Sequence, residues 1–493
     1  MPTATPIPVL SSVTVALQGS LDTLVPLFSQ SDTARAIDSL IFVGLLGQGS
    51  RGELVPDLAE SWSSADGVTY TFRIRADARW QDGQPVTARD VAYTVALAHD
   101  PTAPIAADLR DALKGVTVQT PDPLTAQLTG PPGLGAGLLD LATLPILPAH
   151  ILSAVSPAQV AALPFAARPI GDGPYLVRSA DAFQVVLQRA APDSEAPDRV
   201  VINVTPSDSV AAKQLLDHQA DVAVLAQPNA MPPDVAHTPL PLAQPVMLFL
   251  NMRRPALADP RVRQALDLAI DRTALSAGQV ADGAKPLRLP LSPDLWMADR
   301  SAQVPGFDRQ RAADLLTAAG WAPAAGNIRR RDGSALHLDL VVTDDPTRVR
   351  VAQAIAADWK NIGIEVIVES AGIDGLLRDF GLPGQFDALL LAVSQQGAAP
   401  ALLDLWHSGS AMNLSAWTDP LADAALDATK SPDEETRRIG YQRFQRRFAD
   451  TLPAIPLYLP NVEVASRNVS ITPGILDTPA DVLRSIPSWR PGP

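Results

Sequence analysis

Cysteine is absent from all 493 residues of this sequence. That absence excludes disulfide bonds, thiolate metal sites and cysteine nucleophiles together, and it leaves the redox compartment open. Long apolar runs are missing too. The best candidate, Leu134–Leu152, is interrupted by Asp140, Pro145 and Pro148, so the sequence offers no uncharged apolar run of about 18 residues that would cross a bilayer.

Positive charge is also in deficit. The formal net charge is −14 at pH 7 and the sequence pI is about 4.9, a balance that repels phosphate and argues against nucleic-acid binding. The basic pairs Arg437–Arg438 and Arg446–Arg447 fall in a mixed helical segment, 433–450, and are typical of a solvated helix face. A chain of this length has room for two to four domains.

Patterns typical of catalysis or of a bound cofactor are missing. The six histidines are scattered with no pair at helical spacing, which gives no support for a metal site. Neither a Gly-x-Ser-x-Gly elbow nor a phosphate-binding Gly-Lys-Ser/Thr occurs. The stretch Gly47–Gly52 satisfies Gly-x-Gly-x-x-Gly, but Pro56 interrupts the helix that a dinucleotide site requires. We therefore expect no enzyme activity, no metal and no obligatory cofactor.

The most informative stretch runs from Leu54 to Val95. It predicts a short helix closed by a turn, an alternating strand over Val68–Ile74, a turn at 82–85, and a helix that opens at Ala88 with Thr87 as its N-cap. In content and order this stretch resembles the signature region of the family 5 extracellular solute-binding proteins, the dipeptide, oligopeptide and nickel receptors of ABC importers.

The resemblance continues almost to the end of the chain. Ile170–Tyr175 resembles the family's Gly-Thr-Gly-Pro-Tyr element, with Asp172 in place of the usual threonine. The segment 247–275 resembles the family's strand, loop and helix around Asn251, and Ala312–Trp321 resembles its helix that ends in Ala-Gly-aromatic. Alternating strands and helices between these segments predict parallel sheets.

The resemblance implies an α/β protein with a two-lobed periplasmic-binding-protein-like fold, a hinge and an extra α/β domain inserted in lobe I. Lobe I would be discontinuous, built from 1–45, 168–245 and 460–493. The inserted subdomain would be 46–167, and lobe II 246–459. The chain would cross between the lobes near Gln244 and Leu459, each beside a proline that fixes φ.

Ligand contacts follow from the resemblance rather than from spacing. Peptide receptors of this family carry a tryptophan and acidic residues in the loop after the strand that matches 386–392. Here the loop is neutral and contains Ser394, Gln395 and Gln396. An amide cannot balance a buried ammonium, so either the solute carries a different charge or a carboxylate comes from elsewhere. Asp344 and Asp345 are the nearest candidates, with charge at a helix N-terminus as the alternative interpretation.

The remaining candidates are polar or aromatic positions near the expected cleft. Trp406 is predicted to stack on a ligand or to belong to the core, and Asn251 to be satisfied structurally or to touch the ligand. Asn413 matches a family asparagine close to the cleft. On the first lobe, position alone suggests three further ligand residues, Gln18, Ser20 and Thr33.

From this resemblance we expect an extracytoplasmic substrate-binding protein of an ABC transporter. It would capture a small solute by hinge closure, with an oligopeptide as the favoured solute, and deliver it to a membrane permease. We expect it to work as a monomer. The Thr/Pro-rich first residues lack the features of a signal peptide and are typical of a linker, so we expect a periplasmic or lipid-anchored protein. Alternatives are a receptor for a saccharide or metal chelate, a ligand-presenting sensor, and an enzyme on the same scaffold.

Overall fold

The chain divides into two units. Unit 1 comprises Met1–Leu240 and Val462–Pro493, and unit 2 comprises Pro241–Asn461. Predicted lobe II, 246–459, lies inside unit 2, while the subdivision of unit 1 into a lobe and an inserted subdomain stays a prediction. The computed structural model describes the following residues: 11–131, 133–160, 162–191, 196–226, 231–280, 284–302, 304–395, 402 and 404–491.

The strands of the described residues are numbered in chain order. They are β1 (Ser12–Gln18), β2 (Leu46–Gln48), β3 (Leu54–Pro56), β4 (Ala59–Ser63), β5 (Thr69–Ile74), β6 (Thr117–Asp122), β7 (Thr125–Thr129), β8 (Tyr175–Ala180), β9 (Gln184–Arg189), β10 (Arg199–Thr205), β11 (Val222–Leu225), β12 (Ala236–Pro241), β13 (Val246–Leu250), β14 (Lys285–Pro286), β15 (Ala322–Pro323), β16 (Arg329–Arg331), β17 (Ser334–Ala335), β18 (His337–Thr343), β19 (Glu365–Ala371), β20 (Ala388–Ala392), β21 (Ala454–Leu459), β22 (Asn461–Ser466), β23 (Val469–Ser470) and β24 (Arg490–Pro491).

The α-helices are numbered in the same way. They are α1 (Asp32–Ile41), α2 (Ala88–His99), α3 (Ala107–Ala112), α4 (Gly137–Leu141), α5 (Ala149–Leu152), α6 (Pro157–Val160), α7 (Pro164–Ala167), α8 (Asp208–Leu216), α9 (Pro255–Ala258), α10 (Pro260–Leu268), α11 (Arg272–Gln279), α12 (Arg309–Ala318), α13 (Pro346–Lys360), α14 (Ile373–Gly375), α15 (Pro420–Ala428) and α16 (Glu434–Thr451). A π-helical turn, Leu376–Gly381, continues α14, and 3₁₀ helices cover Ala325–Asn327 and Pro479–Ser488.

Unit 1 is built on a seven-stranded sheet in the order β12-β22-β11-β1-β10-β9-β8. β1 pairs in parallel with both β10 and β11. Val13 and Val15 on β1 are fully buried, as expected for β-branched side chains on a strand covered on both faces. The strands β1, β10 and β11, with α8 between the last two, give the alternation of strand and helix that the sequence predicts for a parallel sheet.

A four-stranded sheet in unit 1, β4-β5-β7-β6, is antiparallel throughout. The predicted strand over 68–74 is confirmed as β5. The helix predicted from Leu54 is wrong: β3 pairs with β2, and β4 pairs with β5 so that Trp62 lies opposite Phe72. Pairing with neighbouring strands, which includes this aromatic cross-strand pair, overrides the local preference for helix.

The predicted start of α2 is confirmed at Ala88. The Thr87 backbone N–H donates to Asp90 Oδ2 at 2.8 Å, and the Thr87 hydroxyl donates to the same oxygen at 3.0 Å. The other oxygen of Asp90 accepts the Ala149 N–H at 2.9 Å. This buried carboxylate therefore fixes the start of α2 and joins it to α5.

Unit 2 contains a six-stranded sheet in the order β14-β21-β13-β20-β18-β19. β18 is parallel to β19 and β20, whereas β13 is antiparallel to β20 and β21. Trp359 on α13 is fully buried against one face, and its Nε1–H donates to the Leu266 carbonyl at 3.0 Å. The carboxyl ends of β18, β19, β20 and β21 consequently meet at one edge of this sheet.

Two connections join the units. One crosses at the end of β12, between Leu240 and Pro241, and the other crosses at the start of β22, between Asn461 and Val462. On the unit 2 side they remain hydrogen-bonded to each other, because the Leu242 N–H donates to the Pro460 carbonyl at 2.8 Å. The predicted hinge crossings near Gln244 and Leu459 stay a prediction.

Candidate functional site

The predicted ligand residues of unit 1 lie where β1 ends. Gln18, the last residue of β1, is exposed and lies opposite Thr205 on β10. Ser20 is also exposed, and its carbonyl accepts the Ser31 hydroxyl at 2.8 Å. Thr33 is buried, and its Oγ1 lies only 2.1 Å from the position that a Cβ on Gly19 would occupy. Gln18 and Ser20 are therefore accessible to a solute, whereas the buried Thr33 packs against the loop at Gly19.

The loop after Gly19 is fastened by two aspartates that the sequence reasoning missed. Asp22 accepts the backbone N–H of Gln30 at 2.6 Å. Asp38 on α1 accepts the Ser29 hydroxyl at 2.5 Å, and burial raises the pKa of Asp38 well above its ordinary value. A sequence signal existed, since Asp38 follows Ile37 on a helix otherwise buried on that side.

The predicted acidic candidates of unit 2 separate into two roles. Asp345 is the N-cap of α13 and accepts the Arg348 N–H at 2.8 Å, which confirms the alternative interpretation for this residue. Asp344 precedes it, and its own N–H donates to the Ala371 carbonyl at 3.0 Å. The Asp344 carboxylate is exposed and makes no hydrogen bond or ion pair with any residue that the structure describes. It is therefore available to a cationic group.

The loop that follows β20 reaches the same edge. Val342 on β18 pairs with Leu390 on β20. Asp344 lies two residues after Val342 and Ser394 lies four residues after Leu390, so both follow the carboxyl ends of paired strands. Ser394 is exposed. Gln395 is buried: its Nε2 donates to the Pro290 carbonyl at 2.7 Å, and its Oε1 accepts the Ser292 N–H at 2.9 Å.

The structure thus brings Asp344 and Ser394 to one edge, while the Gln395 amide is engaged in holding the loop. Gln396, and the rest of this loop to residue 400, lie outside the described residues.

Trp406 belongs to the core of unit 2. Its ring is stacked on Phe249 with centroids 5.0 Å apart and an interplanar angle of 3°, and Phe448 packs edge-on at 5.0 Å. Only 1% of its surface is exposed. The core interpretation of Trp406 is therefore the one that the geometry favours over ligand stacking.

Both predicted asparagines are engaged within unit 2. Asn251 Nδ2 donates to the carbonyls of Gly384 and Phe386 at 3.0 and 2.9 Å. Asn413 Nδ2 donates to the Trp417 carbonyl at 2.7 Å, and its Oδ1 accepts the N–H of the same residue at 3.1 Å. Each amide thus closes a turn or anchors a strand end, and neither is available to a solute without breaking these bonds.

Two residues at the carboxyl edge of the unit 2 sheet escaped the sequence reasoning. Arg348 lies in the first turn of α13, and its guanidinium reaches Thr343 Oγ1 only at 3.5 Å. Tyr458, near the end of β21, is 2% exposed; burial raises its pKa to about 12, against the opposing effect of Arg348. An arginine in the first turn opposes the helix dipole, and that was the available signal.

The described residues contain no group of three or more His, Cys, Asp or Glu side chains able to hold a metal ion. Among the helices in the described ranges, none has the length and apolar character needed to cross a membrane.

Comparison with known proteins identifies relatives over most of the chain. The sequence model of the bacterial extracellular solute-binding proteins, family 5 middle, matches residues 53–413. Protein XP55 of Streptomyces lividans is 30% identical over 477 residues, which are 88% of this chain and 81% of that protein. The periplasmic murein peptide-binding protein MppA of Escherichia coli K12 is 26% identical over 460 residues, 85% of this chain and 82% of that protein.

Solved structures agree on the fold. The unliganded open form of MppA has a TM-score of 0.82 at 21% identity and covers 99% of both chains. NikZ from Campylobacter jejuni in complex with Ni(L-His) has a TM-score of 0.70 at 21% identity and covers 97% of this chain and 99% of its own. The predicted α/β, two-lobed fold class is thereby confirmed. The chain belongs to the bacterial extracellular solute-binding proteins of family 5.

Proposed function

We propose that this protein is the extracytoplasmic substrate-binding component of an ABC importer and that its solute is an oligopeptide. The observation that carries the proposal is the pair of charges at the carboxyl edge of the unit 2 sheet. Asp344 presents an exposed carboxylate, and Arg348 presents a half-buried guanidinium four residues later. A peptide carries an ammonium and a carboxylate, so an edge that offers both signs of charge suits it.

Asp344 is the residue that we assign to the peptide amine. The neutral loop after β20 provides no carboxylate among its described residues, and the Gln395 amide is already bonded to Pro290 and Ser292. Asp345 is likewise engaged as the N-cap of α13. Ligands of open α/β sheets bind outside the carboxyl ends of the strands, which is where Asp344 lies.

The mechanism follows from differential affinity. A solute that binds one conformation more tightly than another shifts the protein toward that conformation, and the permease then recognises the loaded form. A micromolar receptor has about 8 kcal/mol of binding free energy in total, so ion pairs at the two ends of a peptide supply a large share of it. No catalysis and no cofactor take part in this proposal.

Calorimetry on matched peptides tests the proposal. A defined pool of dipeptides to pentapeptides is first screened by thermal shift, and the best binder is then titrated in free and N-acetylated form. Acetylation deletes a charge-assisted contact and leaves Asp344 without a counter-charge, a loss of about 2–5 kcal/mol at a desolvated pair, or at least about thirtyfold in affinity. Asp344→Asn should weaken the free peptide and abolish the discrimination.

Asp374→Asn is the matched control, because Asp374 is an exposed carboxylate on the turn after β19. This variant should retain full discrimination between the two peptides. If no peptide of the pool binds, the oligopeptide proposal is wrong. If peptides bind but Asp344→Asn discriminates as the parent does, the anchor lies elsewhere.

A further inference from the structure

A histidine and a glutamate join the two strands through which the chain passes between the units. His237 on β12 and Glu463 on β22 approach with Nδ1 and Oε1 2.8 Å apart. The glutamate side chain is 11% exposed, whereas the histidine side chain is 57% exposed. Solvent therefore reaches the His237 side chain, whereas the Glu463 side chain is largely shielded from water.

The position of the pair matters as much as its geometry. β12 is the edge strand of the seven-stranded sheet, held on one side only by β22. It leads directly into the first connection, and Glu463 lies two residues after the second unit boundary. Beyond the boundary the two connections continue side by side, with Leu242 N–H on the Pro460 carbonyl at 2.8 Å. The pair thus closes one end of a two-stranded connection.

Three other charged groups on the adjoining elements have partners of their own, and a fourth, His218 between α8 and β11, acts electrostatically on Asp234. Arg467, just after β22, bonds to Asp234, just before β12, at 2.6 Å. Asp221, before β11, accepts the Thr14 N–H at 2.7 Å. Within the described residues Glu463 has no ion-pair partner other than His237. The charge state of His237 accordingly decides whether this shielded carboxylate has a counter-charge.

We propose that His237 and Glu463 form a proton-dependent clamp on the connection between the units. A histidine changes charge between about pH 5 and pH 8. When His237 is protonated, a charge-assisted bond holds the edge strand on β22, and the connection is stiff. When it is neutral, the carboxylate loses its counter-charge, the edge strand separates from β22 more often, and the units sample a wider range of arrangements.

The absence of cysteine makes a direct test simple. Ser209→Cys on α8 and Gln353→Cys on α13 place one spin label on an exposed helix position of each unit. Electron-spin distance distributions are then recorded at about pH 6 and about pH 8. The distribution of the labelled parent should narrow at the lower pH, and His237→Gln and Glu463→Gln should each lose that narrowing.

The matched control is His150→Gln, which removes another half-exposed histidine paired with an aspartate, Asp82, at 2.8 Å on other elements of unit 1. This variant should keep the parent's narrowing. A parent distribution that is the same at both pH values overturns the clamp, and so does a His237→Gln variant that narrows like the parent or a His150→Gln variant that does not. Circular dichroism verifies folding. If Glu463→Gln fails to fold, the His237→Gln variant alone decides the test, because His237 is exposed. No ligand is needed, so the outcome is independent of the proposed solute.

Discussion

At the scale of single residues, Asp57 should make stability depend on pH. Burial raises the pKa of this carboxyl from 3.8 to about 6, and Arg75 opposes the rise only in part. The folded state therefore binds the proton more tightly than the unfolded state, so the free energy of unfolding should fall as pH rises from about 4 to above 6. Asp57→Asn should stabilise the protein by about 2 kcal/mol at pH 7.5 and by less at pH 4, as measured by urea denaturation.

Asp66 provides a control of opposite sign. Its exposed carboxylate accepts the N–H groups of Val68 and Thr69 at 2.9 and 2.8 Å, and these bonds lower its pKa. Its contribution to stability should be present at neutral pH and lost as the pH falls through its lowered pKa. Asp66→Asn should thus destabilise at pH 7.5 more than at acidic pH. Parallel pH profiles for the two variants would contradict both assignments.

Single polar residues were also where the sequence was least informative. The resemblance placed Asn251, Gln395 and Asn413 near a solute, and the structure gives the amide of each two or more hydrogen bonds to the protein. An amide that binds a ligand and an amide that closes a loop look the same in a sequence, because the partners are mostly carbonyl and N–H groups distant along the chain. The exposure of Asp344 was not evident from the sequence either, because it depends on the pairing of β19 with β18.

At the scale of elements, periodicity predicted strands and helices well where burial is one-sided or complete. It predicted β5, and the capping pattern predicted the start of α2 at Ala88. The resemblance predicted a helix that ends in Ala-Gly-aromatic, and Gly320 after α12 has φ 86°. Periodicity failed at β3 and β4, where short strands are formed by pairing with β2 and β5. Pairing partners distant in sequence leave no local signal, so a short segment with helix-forming residues is read incorrectly.

The glycine element before β8 should be intolerant of any side chain. A Cβ on Gly171 would lie 1.9 Å from the Ile41 carbonyl oxygen, which is backbone and cannot move aside. That same oxygen accepts the Gly173 N–H at 2.8 Å. Gly171→Ala should therefore separate the end of α1 from this element and lower the free energy of unfolding by about 3 kcal/mol or more. Chemical denaturation measures the loss.

Gly278 on α11 is the control for that substitution. A Cβ placed on this exposed helix residue would meet no described atom within 4 Å. Gly278→Ala should stabilise by about 0.5–1 kcal/mol, because alanine loses less conformational entropy in a helix. Equal effects of the two substitutions would contradict the close approach of Gly171 to Ile41.

At the scale of the whole molecule, unit 2 should fold on its own. It is continuous in sequence, Pro241–Asn461, and has its own six-stranded sheet and buried core. Its two ends are neighbours, since Leu242 is hydrogen-bonded to Pro460, so excision leaves no stretched segment. Residues 241–461 expressed alone should unfold in one cooperative transition and show dispersed amide signals by NMR. A spectrum typical of an unfolded chain would contradict this independence.

Unit 1 behaves differently, because its sheet is interrupted in sequence. The family resemblance predicted that the first lobe is discontinuous in sequence, and unit 1 is indeed made of two segments, Met1–Leu240 and Val462–Pro493. The position of β22 in the sheet of unit 1 could not be predicted, because nothing in the sequence of β22 shows that it lies between β11 and β12.

The place of β22 has a consequence for synthesis. When the ribosome has made the chain as far as Pro241, β11 and β12 exist but the strand that separates them in the finished sheet begins only at Asn461. The edges of β11 and β12 that β22 covers in the finished sheet therefore stay unpaired for as long as unit 2 is being translated. Such edges are sites of aggregation, so the part of the chain before Asn461 should aggregate more readily than the whole chain, in which β22 covers both edges.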